Sequence, residues 1–200
     1  MLISFEGIDG CGKSTQITLL QQKLCREGFP VEVLREPGGT ELSEMIRGLL
    51  LNPDIQISDV TELLLFSSAR SELVVQKIIP YLNNNIIVLL DRFYDSTVAY
   101  QGFGRGSMPI DQIHALNATA SHGLTPDITF FLDIDINGAY KRRANQSEDR
   151  MEKSGQAFYE RVRDGYHFLA KNNKRFVTLD AQLPPEDIHF EIWKFISARM

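Results

Sequence analysis

Gly7-Ile8-Asp9-Gly10-Cys11-Gly12-Lys13-Ser14 satisfies the pattern G-x-x-x-x-G-K-[ST]. An apolar run, Leu2 to Phe5, precedes it, and a helical pattern from about Ser14 to Glu27 follows. Glycines let a backbone turn tightly and aim its N–H groups at phosphate oxygens, and the helix behind them offers a positive N-terminal end. In such a phosphate-binding loop (P-loop), Lys13 reaches the β- and γ-phosphates of a nucleoside triphosphate and Ser14 serves a Mg²⁺ ion. The strand before and the helix after distinguish the match from an ordinary glycine-rich turn. Cys11 reads in two ways: a thiol made reactive by the helix end, or a small residue that contributes only its backbone.

Outward from this loop, strand-like runs alternate with helix-length segments. Val31 to Leu34 is a second strand, followed by helical patterns over Glu41 to Leu51 and Val60 to about Leu82. Ile86 to Leu90 is continuous and β-branched, as suits a strand buried on both faces, and Ile128 to Leu132 is similar. Helical patterns at Gly138 to Ala144 and Ala157 to Ala170, a strand at Phe176 to Leu179, and a helix opened by Pro184-Pro185-Glu186 complete the chain. The pattern predicts an α/β fold of three layers, with a five-stranded, mainly parallel sheet flanked by helices. No repeat or linker divides it, so residues 1–200 read as one domain. Asn145 to Gly155 is polar with almost no apolar anchor, and a short mobile lid is expected over about residues 143–155.

A magnesium carboxylate belongs at the end of a strand beside the P-loop. Asp91 fits, and Asp133 is the rival. Asp135-Ile136-Asn137-Gly138 matches D-x-x-G, but no N-K-x-D motif follows, so the match reads as accidental. Arg92 beside Asp91 is placed to hold a second phosphate with its planar fork. A surface ion pair at a strand end is the competing reading.

The 200 residues carry a formal charge of −5, with 43% hydrophobic and 24% charged residues. This suits a globular domain and argues against a nucleic-acid polymer as partner. No apolar run is long enough for a membrane span, no signal-peptide pattern opens the chain, and two cysteines make no disulfide framework. A cytoplasmic location is expected. The four histidines show no metal-ligand spacing and read as surface or packing residues.

Several longer segments carry a more specific resemblance: REPGGTELSEMIRGLL at Arg35 to Leu50, LLLFSSAR at Leu63 to Arg70 and DRFYDSTVAYQGFGRG at Asp91 to Gly106. NATASHGLTPDITFFLD at Asn117 to Asp133 and DRME at Asp149 to Glu152 complete the set. Together with the P-loop they resemble the bacterial thymidylate kinase family, in family order and over nearly the whole chain. The resemblance implies transfer of the γ-phosphoryl group of ATP to dTMP, with Mg²⁺, in a homodimer. The long Val60 to Leu82 helix is then a candidate dimer surface.

The resemblance also implies roles. Gly7, Ile8, Asp9, Gly10, Cys11, Gly12, Lys13, Ser14 and Thr15 would bind ATP, and Ser14 and Asp91 the metal. Phe66 would stack on thymine, with Arg70 donating to a thymine carbonyl one helical turn away; for Phe66, plain core packing is the alternative. Arg47 and Arg92 would clamp the dTMP phosphate, and Gln101 would contact the base with Ser96 or Thr97 beside it. Tyr100 would crowd the 2′ side of the sugar, or simply pack. Asp9 would lie near the acceptor. Gly10 stands where another branch of the family has an arginine, so a lid arginine would cover the moving phosphoryl group. Arg150 is the first choice and Arg143 the second, with Arg142 expected to be solvated.

Overall fold

The computed structural model describes residues 1–143, 150–151 and 154–200. Five parallel strands form one sheet in the order β2-β3-β1-β4-β5, with β1 Leu2–Glu6, β2 Val31–Arg35, β3 Ile87–Asp91, β4 Ile128–Asp133 and β5 Phe176–Asp180. The three inner strands are buried on both faces, which explains their largely apolar runs; Ser4 of β1 and Thr129 of β4 hydrogen-bond each other at 2.8 Å. The edge strands are less buried: β5 exposes Thr178 and Asp180, and β2 exposes Val33 and Arg35. The expected three-layer α/β architecture is the observed one.

Helices α1 Lys13–Arg26 and α2 Glu41–Leu51 follow the first two strands. Thr40 caps α2 by accepting from the Ser43 N–H at 3.1 Å, with Glu41 and Glu44 in the first turn. The long segment expected over Val60 to Leu82 begins at Asp59 and is not uniform. It comprises α3 Asp59–Leu73, a π-helical stretch Val74–Ile78, and α4 Ile79–Asn83. Pro80 lies just inside α4, where its missing N–H falls beside the widened turn.

A second departure lies nearer the site. After β3 the chain forms α5 Tyr94–Thr97, a π-helical stretch Val98–Arg105, and α6 Ile110–Ala120. Apolar periodicity did not predict a helix over 94–105, because a π turn breaks the 3.6-residue spacing. The chain closes through α7 Ile136–Arg143, α8 Gln156–Asn172 and α9 Pro185–Ser197. Of the expected lid, residues 144–149 and 152–153 lie outside the described residues.

Candidate active site

The P-loop turns from the C-terminal end of β1 into α1, the end of a parallel sheet where ligands bind. Gly7 has φ +137°, and a Cβ there would lie 2.6 Å from the Leu132 carbonyl oxygen, so only glycine fits. The first turn of α1 carries no acidic residue, which leaves its positive end open to an anion. The Lys13 ammonium donates to the carbonyls of Gly7 and Ile8 at 3.1 and 3.3 Å. A cavity of about 610 Å³ opens over this loop, bounded by Asp9, Lys13, Ser14, Thr15, Arg47 and Arg92 among others.

Cys11 is buried, and burial raises its thiol pKa, which counts against a reactive thiol; its side chain packs in the core while its backbone serves the loop. Ser14 Oγ donates to Asp91 Oδ2 at 3.3 Å, which gathers two hard oxygen donors at the cavity wall and suits a Mg²⁺ ion. The rival, Asp133, is held bidentately by Arg163 at 2.7 and 3.0 Å. Asp135, the start of the D-x-x-G match, caps α7 by accepting from the Gly138 N–H at 2.8 Å, which accounts for that spacing locally.

A smaller cavity of about 110 Å³ adjoins the first, bounded by Phe66, Arg70, Ser96, Thr97, Tyr100, Gln101 and Met151. Asp9, Glu36, Arg47 and Arg92 line both. Arg92 is the hinge between them. Its backbone is left-handed, with φ 69°, unusual for a long side chain and a mark of a functional constraint. Its guanidinium donates to Asp9 Oδ1 at 2.7 Å, Tyr100 Oη at 2.9 Å and the Gly7 carbonyl at 2.8 Å. Burial opposes ionisation of Asp9, but Arg92, then Lys13 and Arg143, outweigh it and hold the carboxyl well below its usual range. Arg47 donates to the Pro37 carbonyl at 2.9 Å.

Arg70 is 2% exposed and donates to Glu36, Asn117 and Thr97 at 2.8, 3.0 and 2.8 Å. These contacts fix a fork whose five N–H groups exceed the three so used. Burial pushes Glu36 up to about 7, against the pull of Arg70. Gln101 Nε2 donates at 2.9 Å to Glu62, a fully buried carboxylate on α3. Sequence reasoning gave no role to Glu6, Glu36, Glu62, Asn117 or Tyr166. The available signal was the acidic residue ending each apolar run, Glu6 after β1 above all.

The arginines around residues 143–155 separate. Arg143 lies on the P-loop, where a Cβ at Gly10 would come within 3.0 Å of its Cγ, and its guanidinium sits over the rings of Tyr140 and Tyr159. Arg142, expected to be solvated, donates to the Ala181 carbonyl at 2.8 Å and lines the larger cavity. Arg150 is placed elsewhere: its guanidinium donates to Glu62 Oε2 at 2.6 Å and to the Leu50 carbonyl at 2.7 Å.

A phosphate-binding loop at the end of a parallel sheet, with a second cavity beside it that shares Arg92, is the arrangement of a P-loop kinase. A sequence model described as thymidylate kinase matches residues 5–192. The thymidylate kinase of Chlorobaculum tepidum is 50% identical over 99% of this chain and 97% of its own length. Those of Chlorobaculum parvum and a Thermoanaerobacter species are 48% and 46% identical, over 99% and 95% of this chain and 96% and 94% of theirs. The chain belongs to the thymidylate kinase family.

Proposed function

We propose that the chain transfers the γ-phosphoryl group of ATP to dTMP, with ATP in the larger cavity and dTMP in the smaller. The observation that carries this reading is the pair of cavities meeting at Asp9, Arg47 and Arg92. Phe66 offers a flat apolar face to thymine, while Arg70 and Gln101 offer polar groups to its edge. Tyr100, held by Arg92 and donating to Asp9 at 3.3 Å, stands as a rigid wall against the sugar.

The acceptor phosphate is largely ionised near neutral pH, with a second pKa of about 6, so no strong base is required. Alignment and charge stabilisation supply the rate. Arg47 and Arg92 hold the acceptor; Lys13 releases its two carbonyls to follow the transferring phosphate, and Arg143 adds charge from the far side of Gly10. Ser14 and Asp91 would hold Mg²⁺, which when bound neutralises phosphate oxygens.

The reading includes a homodimer working in the cytoplasm on free nucleotides. Leu42, Met45 and Leu49 on α2, with Val60 and Leu64 on α3, are exposed apolar side chains that support such an interface. Among the described residues no helix is long and apolar enough to cross a membrane. A coupled ATP assay with dTMP, dUMP, ribothymidylate, dAMP and dGMP tests the activity. Preferred turnover of dTMP is expected, and preference for a purine nucleotide would overturn it.

A further inference from the structure

Beneath Arg92 lies a polar cluster for which the reaction gives no role. Glu6, the last residue of β1, is fully buried. One carboxylate oxygen accepts from the Phe93 N–H at 2.8 Å. The other accepts from Ser96 Oγ at 2.6 Å and Tyr166 Oη at 3.0 Å. Those same two hydroxyl oxygens face Arg92 Nη1, at 3.2 and 3.1 Å.

Each hydroxyl has one proton to give, and a carboxylate can only accept. The two hydroxyls also lie 2.8 Å from each other. Once ionised, above about pH 7, Glu6 accepts from both and leaves lone pairs turned toward the guanidinium. The fork of Arg92 is seated from below by these oxygens and steadied from the side by Asp9 and Tyr100. An amide at position 6 would reverse this. With its oxygen kept on the Phe93 N–H, its NH₂ would donate to the hydroxyls and turn a proton toward Arg92.

We propose that Glu6 is a positioning residue, acting through the hydroxyls of Ser96 and Tyr166 to hold Arg92 in the geometry that receives the acceptor phosphate. This inference rests on the reading that Arg92 binds that phosphate. Tyr166 suits its part: its ring is fully buried and stacks on Phe131 at 5.1 Å, so the hydroxyl has little freedom to turn away.

The test compares equilibrium binding of dTMP with that of thymidine, which lacks the phosphate, by calorimetry without ATP at a pH well above 7, where Glu6 is ionised. In the unaltered protein dTMP should bind more tightly, and Arg92→Gln should erase most of that preference. Glu6→Gln should reduce the preference about tenfold, the worth of a charge-assisted hydrogen bond, and leave thymidine affinity unchanged. Tyr166→Phe keeps the ring and should act in the same direction, more weakly. Full preference in folded Glu6→Gln overturns the proposal, as does an equal loss for thymidine and dTMP, which marks a merely structural role. Should Glu6→Gln fail to fold, an unchanged preference in Tyr166→Phe overturns it instead. If the unaltered protein shows no preference, or Arg92→Gln keeps it, the assignment of Arg92 fails and the role of Glu6 falls with it, a result distinct from a preference that Arg92→Gln erases and Glu6→Gln keeps.

Discussion

Lys13 rests on two backbone carbonyls of its own loop, already gathered at the cavity where a triphosphate would enter. Lys13→Ala should lower turnover about a thousandfold, as for a lost transition-state donor, with dTMP binding intact. Steady-state kinetics beside dTMP titration check this, and near-normal turnover would remove the lysine from the chemistry. The two arginines near the P-loop and Glu62 should divide in the same assay. Arg143→Ala is expected to lower kcat by about a hundredfold, because its side chain runs past Gly10 and lines the cavity over the loop. Arg150→Ala should act mainly on the dTMP KM, through Glu62 and Gln101. The reverse pattern would restore Arg150 as the residue that covers the phosphoryl group. Short motifs are legible in the amino-acid sequence: the P-loop follows from spacing alone, while Asp91 and Arg92 emerged as candidates beside Asp133 and a surface ion pair. Glu6, Glu36 and Glu62 are not. Each acts through partners tens of residues away, and an isolated acidic residue in a pattern reads as surface.

At the scale of elements, the π-helical stretch 98–105 and α8 pack unusually closely. A Cβ at Gly165 on α8 would stand 3.0 Å from the Ala99 Cα and from the Phe103 side chain. Gly165→Ala should therefore destabilise the protein by about 1–3 kcal/mol, despite the better helix propensity of alanine. Thermal unfolding checks the sign; a stabilised variant would show that the two elements have room to part. The sheet and most helices were legible because their periods are regular and the inner strands are mostly apolar. The stretch that carries Tyr100 and Gln101 was not, since its wide turns obey neither period.

For the whole molecule, acid titration should show two buried carboxyls. Burial pushes Glu6, and likewise Glu36, up to about 7 from an ordinary 4.5; Asp95 adds to the first, while Arg70 opposes the second. The folded protein keeps these protons at a pH where the unfolded chain has lost them. Their stabilising contribution is full below about pH 4.5 and is lost as pH rises through 7, by up to about 1.4 kcal/mol per unit for each group. Glu36→Gln should flatten the stability profile between about pH 5 and 7 in chemical denaturation, and an unchanged slope would exclude Glu36 as its source. Association belongs to this scale as well. Met45, 65% exposed, lies centrally on the apolar face of α2, and Met45→Glu should shift sedimentation from dimer toward monomer. A monomeric unaltered protein would dismiss that face as an interface. Finally, the closeness of Gly10 and Arg143 bears on descent. A side chain gained at position 10 starts with a Cβ 2.7 Å from the Ala139 carbonyl oxygen and crowds the arginine already there. Losing Arg143 first removes the charge before its replacement exists. On the proposed role of Arg143, either single step leaves an impaired enzyme, so moving the charge from residue 143 to residue 10 requires both changes together.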